Sequence, residues 1–405
     1  MPSRRTVLGA GAVATVPLGA VSTVRSGPIQ TLDPPDDSWP QHRYDAANTA
    51  RTDLSIPSEP TTEWSRRAVG RSFPSLVVGN EAVFAGGAGI TALDRSTGRR
   101  RWHEDAAGNK LALVDVGSDE PTLYVAHGVE PNEPDERSPA LRAYDATDGT
   151  ERWRHEIPTP AYGLVPTEAG VVLGCHGTLL AVGRNGRRHW TEEPPGSGAV
   201  HPMIHEGTLY AGLPGYVRRY RRRRHLALLF GSPPDVGWQG SDTSGAGPPT
   251  AACGSLVMGT EQAAFESTDP VVHAFDLASG ERQWGAGPRT VTRRRMLTPV
   301  HFGNTGLTAI RVTDGDDDSE TTFVAGIDLR DGGVEFRRPV NDWFRRVAAG
   351  TDCAVFGGRG GDLRAYWPDG RERWQTEVAA PITDLAVLDG RVIVAQANGD
   401  VTVLE

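Results

Sequence analysis

The stretch Asp94-Arg-Ser-Thr-Gly98-Arg-Arg-Arg-Trp102 contains a turn signal followed by a strand that presents a large aromatic side chain. An Asp side chain can accept hydrogen bonds from turn amides, and Gly supplies the positive φ that a tight hairpin needs. The same spacing returns in Asp145-Ala-Thr-Asp-Gly149-Thr-Glu-Arg-Trp153 and in Asp276-Leu-Ala-Ser-Gly280-Glu-Arg-Gln-Trp284. Three copies with identical internal spacing indicate an internal repeat.

Weaker copies of this repeat occupy the rest of the chain. The region after Tyr220 lacks the Asp and the Gly, and Phe230 stands near the position expected for its aromatic residue. Trp64 has the aromatic residue without a preceding turn. The predicted repeat aromatics are Trp64, Trp102, Trp153, Trp190, Phe230, Trp284, Phe336 and Trp374. Their mean spacing of about 44 residues is typical of one four-stranded propeller blade.

The composition supports an all-β fold. The 405 residues include 49 Gly and 30 Pro, which favours many short strands joined by turns over long helices. Short apolar runs such as Ala82–Ala85 precede each aromatic residue, as expected for a strand buried between neighbouring sheets. The sequence therefore predicts an eight-bladed β-propeller of four-stranded antiparallel blades, with each aromatic side chain packed across the seam between two blades.

The two ends of the chain complement each other. After Trp374 the sequence predicts three strands, at Ile382–Val387, Arg391–Gln396 and Asp400–Glu405, with no fourth strand behind them. Near the start, Thr62–Val69 is a strand with no predicted partner before it. We therefore expect the N-terminal strand to pair with the C-terminal strands and to close the ring.

The N-terminus has the features of an export signal. The run Ser3-Arg4-Arg5-Thr6-Val7-Leu8 resembles the twin-arginine translocation motif, and a weakly apolar stretch interrupted by Pro17 follows it. Residues 1–26 are predicted to be a twin-arginine signal peptide, 27–38 a linker and 39–405 the propeller domain. The expected location is extracellular or at the cell surface, with membrane contact only through an uncleaved signal segment.

The charged residues are unevenly chosen. The net charge is −9, and Lys110 is the only lysine among 42 basic residues. Acidic loops combined with almost no lysine predict a chain adapted to high salt, and no nucleic-acid partner is expected. The three cysteines, Cys175, Cys253 and Cys353, have no metal-like spacing, so each is predicted to be a small buried residue in an apolar strand.

The repeat resembles a known signature. Ala92-Leu93-Asp94…Gly98…Trp102 and its two full copies resemble the Ala-x-Asp-x-x-x-Gly-x-x-x-Trp motif of PQQ-like (pyrrolo-quinoline quinone) propeller repeats. The segment Trp39-Pro40-Gln41-His42-Arg43-Tyr44-Asp45…Asn48-Thr49-Ala50-Arg51 is similar to one that precedes the first blade in many of these proteins, with Ala50 where Gly is usual. The chain is also similar to exported PQQ-like repeat proteins of halophilic archaea.

The resemblance leaves two functional classes open. Quinoprotein dehydrogenases typically carry an adjacent Cys-Cys pair and a calcium site beside PQQ, and this chain has no adjacent cysteines. No cofactor is therefore expected, and PQQ with calcium is disfavoured. BamB-like members use the propeller as a non-catalytic scaffold. The sequence favours an exported scaffold that binds an unknown protein or cell-envelope partner, with a PQQ-dependent oxidoreductase as the alternative.

No catalytic motif or metal site stands out in the sequence. His201 and His205 have the spacing of helical zinc ligands, but Pro202 predicts an extended strand in which they lie about 13 Å apart. The acidic run that contains Asp314, Asp316 and Asp318 is dense in oxygen ligands but lacks the spaced calcium-loop pattern. A solvated loop is expected there, and weak cation binding is the alternative.

An arginine run replaces the Asp–Gly turn of the fourth repeat. Its members are Arg218, Arg219, Arg221, Arg222, Arg223 and Arg224. One interpretation is a patch for an acidic partner or surface. The other is that the side chains alternate along a strand and pair with acidic loops.

Overall fold

The computed structural model describes residues 28–115, 117–118, 120–128, 138–221, 233–243, 247–260, 264–265, 271–287, 293–313 and 320–405. Every regular element in these ranges is a β-strand, which confirms the all-β prediction. Over the same ranges, no helix has the length and apolar character needed to cross a membrane.

The strands form eight antiparallel blades arranged in a ring, as the repeat predicts. Blade 1 contains β2 (Ser75–Val78), β3 (Ala82–Gly86), β4 (Ile90–Asp94) and β5 (Arg100–Glu104). Blade 2 contains β6 (Lys110–Val114), β7 (Thr122–Ala126), β8 (Ala140–Asp145) and β9 (Glu151–Glu156). Blade 3 contains β10 (Ala161–Thr167), β11 (Gly170–Cys175), β12 (Leu179–Gly183) and β13 (Arg188–Glu192). Blade 4 contains β14 (His201–His205), β15 (Thr208–Leu213), β16 (Gly215–Arg221) and β17 (Asp235–Thr243).

The second half of the ring follows the same plan with one irregular blade. Blade 5 contains β18 (Thr250–Ala252), β19 (Ser255–Gly259), β21 (Val272–Asp276) and β22 (Arg282–Ala286). Blade 6 contains β23 (Arg293–Met296), β24 (Val300–Phe302), β25 (Thr305–Thr313), β26 (Glu320–Asp328) and β27 (Val334–Val340), and β20 (Ala264–Phe265) joins it through β23. Blade 7 contains β28 (Phe344–Ala349), β29 (Ala354–Gly358), β30 (Asp362–Tyr366) and β31 (Glu372–Glu377). Blade 8 contains β32 (Ile382–Leu388), β33 (Arg391–Gln396), β34 (Asp400–Leu404) and β1 (Thr62–Arg67).

The ring closes between the two ends of the chain. Strand β1 pairs antiparallel with β34, with Trp64 opposite Val403 and Arg67 opposite Asp400. The first strand in the sequence is thus the outer strand of the last blade, which confirms the predicted closure. This pairing joins segments more than 330 residues apart. Its formation therefore has to offset the loop-closure entropy of the whole ring.

The recurring Trp and Gly interlock at the seams between blades. The Trp102 indole Nε1–H donates a 3.0 Å hydrogen bond to the Ala146 carbonyl oxygen of the next blade. Gly149 of that turn has φ 83°, and a Cβ there would lie 2.9 Å from the Trp102 ring. Glycine therefore serves both the turn conformation and the close approach of the indole. The same Trp–Gly approach occurs at Trp64/Gly98, Trp153/Gly186, Trp238/Gly280 and Trp284/Gly332.

The fourth seam corrects one prediction. Phe230, predicted as the repeat aromatic, lies outside the described residues. Trp238 on β17 occupies the equivalent place, because its Nε1–H donates a 3.2 Å hydrogen bond to the Leu277 carbonyl oxygen and its ring meets Gly280. The long β16–β17 connection moves this aromatic residue further along the sequence than the average spacing predicts.

The cysteine prediction was right for two residues and wrong for the third. Cys175 lies in β11, and Cys353 directly precedes β29; both are buried. Cys253 is exposed in the β18–β19 turn, where its φ is 50°. The prediction for Cys253 was wrong because this residue lies in the turn and not in either strand.

Residues 39–56 cross the axis of the propeller, and we call them the plug segment. Trp39 pairs with Val78 of blade 1, and Thr52 N–H donates a 2.9 Å hydrogen bond to the Ala349 carbonyl oxygen of blade 7. The Asn48 amide nitrogen donates 3.0 Å hydrogen bonds to the carbonyl oxygens of Pro202 and Pro249, in blade 4 and at the start of blade 5. One short segment thus joins blades 1, 4, 5 and 7 across the axis.

The conformation of the plug segment explains its unusual residues. Arg43 is buried and donates hydrogen bonds to the carbonyl oxygens of Asn48, Thr298 and Pro299 at 2.9, 3.3 and 3.2 Å. Ala50 is fully buried with φ 53°, a left-handed conformation that favours the Gly usual at this position. Upstream, residues 28–38 run along the ring, where Thr31 bridges to Thr167 and Asp37 forms an ion pair with Arg95.

Candidate functional site

A cavity of about 410 Å³ opens at one end of the propeller axis. Its wall comes from the first residues of the innermost strands, with Ser75 on β2, Lys110 on β6, Tyr162 on β10 and Arg345 on β28. The plug segment instead contacts the last residues of these strands, as the Trp39–Val78 pairing shows. Among the described residues, the plug segment occupies one end of the axis and the cavity opens at the other end, which we call the mouth.

The floor of the cavity joins the plug segment to blade 8. His42 Nδ1 lies 3.9 Å from Asp384 Oδ1, and Arg346 Nε lies 3.8 Å from the same oxygen. Asp384 also accepts 3.1 Å hydrogen bonds from the backbone N–H groups of Leu76 and Leu385. Burial raises the pKa of Asp384 despite these partners, and burial together with the charge of Lys110 lowers the pKa of His42 well below its usual value.

The only lysine of the chain lies on this cavity wall. The positive charge of Lys110 adds to the effect of burial in lowering the pKa values of His42 and His201, and it opposes the rise that burial causes at Asp384. For His201 burial is the larger cause, and its pKa falls to about 3. His201 packs edge-on against Tyr162 with ring centroids 5.9 Å apart. The histidines of the channel are thus neutral at pH 7, while the cationic groups around them are lysine and arginine.

Four arginines surround one indole beside the cavity. The guanidinium carbons of Arg311, Arg345, Arg295 and Arg359 lie 4.1, 4.3, 5.1 and 5.8 Å from the centroid of Trp343. Arginine stacks readily on aromatic faces, which allows several like charges to share one ring. We call Trp343 with these residues the arginine cage. A second cavity of about 230 Å³ adjoins it, and Arg345 and Arg346 line both cavities.

Asp342 fixes the position of the cage without neutralising it. Its carboxylate accepts hydrogen bonds from the Trp343 N–H at 2.6 Å and from the Gly360 N–H at 2.9 and 3.0 Å. The Arg359 N–H in turn donates a 2.9 Å hydrogen bond to the Trp343 carbonyl oxygen. The loop that carries Trp343 is therefore held against the turn that carries Arg359.

The arginine run predicted as a partner patch divides between two blade seams. Arg218 is buried, donates a 2.8 Å hydrogen bond to Gln239 and lies 3.6 Å from Glu192 of blade 3. Arg219 reaches the Ala278 carbonyl oxygen of blade 5 at 3.5 Å. Arg221 is exposed, and Arg222, Arg223 and Arg224 lie outside the described residues. Arg218 and Arg219 thus take part in packing, so a patch would depend on Arg221 and its neighbours.

The other predicted sites fall in different places. His201 and His205 lie at the two ends of strand β14, as Pro202 predicts, so they do not converge on one metal. The acidic residues Asp314, Asp316 and Asp318 and the export residues Arg4 and Arg5 lie outside the described residues. Within the described ranges, no three His, Cys, Asp or Glu side chains are placed to hold a metal ion.

The sequence contained one signal of the mouth that was not interpreted. A single lysine in an arginine-rich chain marks a position where a compact ammonium is kept, but its location could not be read from the sequence. No sequence pattern indicates the arginine cage, because its arginines come from four separate elements. They are Arg295 on β23, Arg311 on β25, Arg345 on β28 and Arg359 in the β29–β30 turn.

The donor set at the mouth does not fit the calcium–PQQ arrangement of quinoprotein dehydrogenases. Calcium takes six to eight oxygen ligands, usually several carboxylates. Asp384 is the only carboxylate among the residues that line the described cavity, and two backbone amides already occupy its oxygens. The remaining polar lining is cationic or neutral. This disagreement counts against a quinone–calcium reaction at this site.

Comparisons with known proteins agree with this architecture. The family described as outer membrane protein assembly factor BamB matches residues 86–226 and 268–405. BamB from Moraxella catarrhalis is 15% identical with a TM-score of 0.59, covering 85% of this chain and 97% of that protein. No curated protein matches the sequence.

Enzymes of the same fold are similar to the same extent. Quinohemoprotein alcohol dehydrogenase from Comamonas testosteroni is 12% identical with a TM-score of 0.59, covering 91% of this chain and 80% of that one. A europium-containing methanol dehydrogenase is 11% identical with a TM-score of 0.62, covering 92% and 99%. At these identities the structural likeness establishes the fold alone. The sequence match, the eight blades and the interlocked Trp–Gly seams together show that the chain belongs to the BamB-like family of PQQ-like repeat β-propellers.

Proposed function

We propose that this protein is an exported, non-catalytic scaffold that binds a protein partner of the cell envelope at the mouth of its propeller. The observation that carries the proposal is the asymmetry of the axis. The plug segment occupies one end, whereas the other end presents a cavity lined by Lys110, Arg345, Arg346 and Arg359. A concave basic surface on a rigid ring suits recognition of an acidic surface.

The family likeness supports the same role. The matching family is described as an outer membrane assembly factor, and a scaffold needs no catalytic constellation, only a firm frame with a distinctive face. The twin-arginine motif at Arg4 and Arg5 supports export of the folded chain. In this proposal the mouth recognises the partner, and the Trp–Gly contacts at the seams hold the blades around the mouth in fixed positions.

Site-specific photocrosslinking in intact cells tests the binding face. A photoreactive residue at Arg359 places the probe at the mouth, and one at exposed Asp148 places a matched probe on the β8–β9 turn at the opposite end of a blade. We expect a discrete adduct with one envelope protein from position 359 and not from position 148. Adducts of equal yield from both positions, or from neither, would contradict the proposal.

Two further measurements test the remaining parts of the proposal. Replacing Arg4 and Arg5 by Lys should leave the protein in the cytoplasmic fraction, because the export pathway reads the twin arginine. The purified protein incubated with PQQ and calcium should show no dye-linked oxidation of alcohols or sugars. Sustained turnover in that assay would replace the scaffold with the oxidoreductase alternative.

A further inference from the structure

The arginine cage carries more positive charge than its described surroundings neutralise. Arg311 forms an ion pair with Glu320, and Arg346 faces Asp384 at 3.8 Å. Among the residues that the structure describes, neither Arg345 nor Arg359 has a carboxylate oxygen within 4.0 Å. The Nε of Arg345 is also buried without a hydrogen-bond acceptor in that set. A buried N–H group without an acceptor costs free energy in the absence of a ligand.

The titration of Arg345 reflects the same imbalance. Burial is the largest cause that lowers its pKa, and the charges of Arg359, Arg346, Arg295 and Arg311 add to it, bringing the pKa to about 10. Since arginine normally stays protonated above pH 12, this environment strongly disfavours another positive charge. A negatively charged group placed among these guanidiniums would reverse that penalty.

The adjoining cavity has the size and lining of a small-molecule site. Its volume of about 410 Å³ falls within the range of roughly 300–1,000 Å³ that ligand pockets occupy. Its polar wall includes Lys110, Arg345, Arg346 and Arg359, and the one carboxylate among its lining residues, Asp384, faces Arg346. Its apolar wall includes Leu76, Leu111, Leu164, Phe73 and the ring of Tyr162. Such a mixed lining suits an organic molecule that combines acidic groups with a carbon frame.

We propose that the mouth cavity is a binding site for a small organic polyanion, whose carboxylate or phosphate oxygens pair with Arg345, Arg359 and Lys110. The fork of each guanidinium matches two oxygens of either group, so carboxylates and phosphates share this chemistry. The Trp343 indole lies 4.3 and 5.8 Å from the guanidinium carbons of Arg345 and Arg359, and both arginines line the cavity. This site lies within the same basic lining that faces the envelope partner in the proposed function.

Isothermal titration calorimetry with citrate and with pyrophosphate tests the site in the wild-type protein. We expect one-to-one binding of at least one probe, and the stronger probe identifies the preferred acid. Arg345→Met, Arg359→Met and Lys110→Met remove one charge each and should weaken binding about tenfold or more. Arg345→Lys should restore part of the affinity. Arg338→Met is the matched control, because Arg338 stacks on Phe336 at 5.4 Å on the exposed outer strand of blade 6.

Thermal unfolding of the same variants separates a binding role from a structural one. A ligand-binding arginine without its ligand destabilises the free protein. The Arg345→Met variant should therefore melt at the wild-type temperature or above it. Loss of binding in a folded variant of unchanged stability supports the proposal. The proposal is overturned if neither probe gives a binding heat, or if binding is unchanged in Arg345→Met. It is also overturned if tetraglutamate binds when neither small probe does. Photocrosslinking at position 359 remains a separate readout of the envelope partner.

Discussion

The indole Nε1–H of Trp374 donates a 2.8 Å hydrogen bond to the carbonyl oxygen of Pro57, a residue 317 positions earlier in the chain. At five other seams the corresponding bond ends on the turn of the next blade; the donors are Trp64, Trp102, Trp153, Trp238 and Trp284. Blade 8 has no such turn, because its third and fourth strands come from opposite ends of the chain. Pro57 supplies the missing carbonyl, so the closing seam keeps the bonding pattern of the regular seams.

Closure of the ring predicts strong sensitivity at its last strand. Removal of Val401–Glu405 deletes most of β34 and leaves β1 without a partner, so the truncated chain should lose its cooperative thermal transition. Trp374→Phe should cost about 1–2 kcal/mol of unfolding free energy, since it leaves the Pro57 carbonyl without its donor. Trp374→Ala should cost about 3–5 kcal/mol. Urea unfolding measures both, and a truncated chain that melts like the wild type would refute the closure.

The double role of the seam glycines predicts an asymmetric response to alanine. Gly149→Ala places a Cβ 2.9 Å from the Trp102 ring and also strains the backbone at φ 83°. Gly303→Ala strains a similar backbone, φ 57°, with no atom within 4 Å of the new Cβ. The control should cost about 1–2 kcal/mol and Gly149→Ala clearly more. Equal losses in urea unfolding would mean that the Trp contact has no energetic weight.

Trp238 rather than Phe230 should hold the seam between blades 4 and 5. Trp238→Ala should lower the unfolding free energy by about 3 kcal/mol or more, because the ring packs on Gly280 and its N–H binds the Leu277 carbonyl oxygen. Phe230→Ala should leave stability within about 0.5 kcal/mol of wild type. The opposite ranking of the two variants would restore the original assignment of Phe230.

The half-buried histidines at the mouth predict acid sensitivity. His201 is neutral in the folded protein, with its pKa lowered from 6.5 to about 3, so folding excludes a proton that the unfolded chain binds. Its contribution is complete above pH 6.5 and is lost as the pH falls from there toward 3, with a slope of up to about 1.4 kcal/mol per pH unit. His42 acts in the same direction. The raised pKa of Asp384 acts in the opposite direction, so it partly offsets this loss as the pH falls.

Comparison of variants isolates the histidine effect from that of Asp384. His201→Gln should flatten the dependence of unfolding free energy on pH between 7 and 4, whereas exposed His189→Gln should leave the slope unchanged. Urea titrations at pH 7, 5.5 and 4 measure the slope. An identical slope in wild type and His201→Gln would show that His201 titrates normally.

The arginine run should contribute little to binding if Arg218 and Arg219 serve to pack the blade seams. Replacing Arg221–Arg224 by Ser, with Arg218 and Arg219 kept, removes the candidate patch and preserves both seam contacts. We expect the photocrosslink from position 359 to persist at its wild-type yield. Its disappearance in this variant, with an unchanged melting temperature, would place the partner surface on blade 4 instead.

The sequence predicts this fold well because each blade repeats one physical solution. Asp94, Gly98 and Trp102 are local in the sequence, so the turn and the seam residue can be read from one short window. The closure could also be predicted, since the unpaired strands lie at the two ends. Phe230 was misassigned because spacing alone located it, and the β16–β17 connection breaks that spacing.

The functional site could not be predicted in the same way. Arg295, Arg345 and Arg359 lie in separate elements, and only the ring places them around Trp343. Their sequence neighbourhoods resemble those of the many arginines that lie on outer strands. His42 looked like part of a family segment, and its place beside Asp384 depends on the path of the plug segment through the axis. Long-range arrangement, not local pattern, creates this site.

The plug segment also bears on how the number of blades can change during evolution. In most repeat architectures each unit touches only its neighbours, so units can be gained or lost by duplication and deletion. Here Trp39, Asn48 and Thr52 bind the inner strands of blades 1, 4 and 7 at fixed distances across the axis. A ninth unit would widen the axis and a seventh would narrow it, and either would break these bonds together. The plug segment therefore constrains this chain to eight blades during evolution.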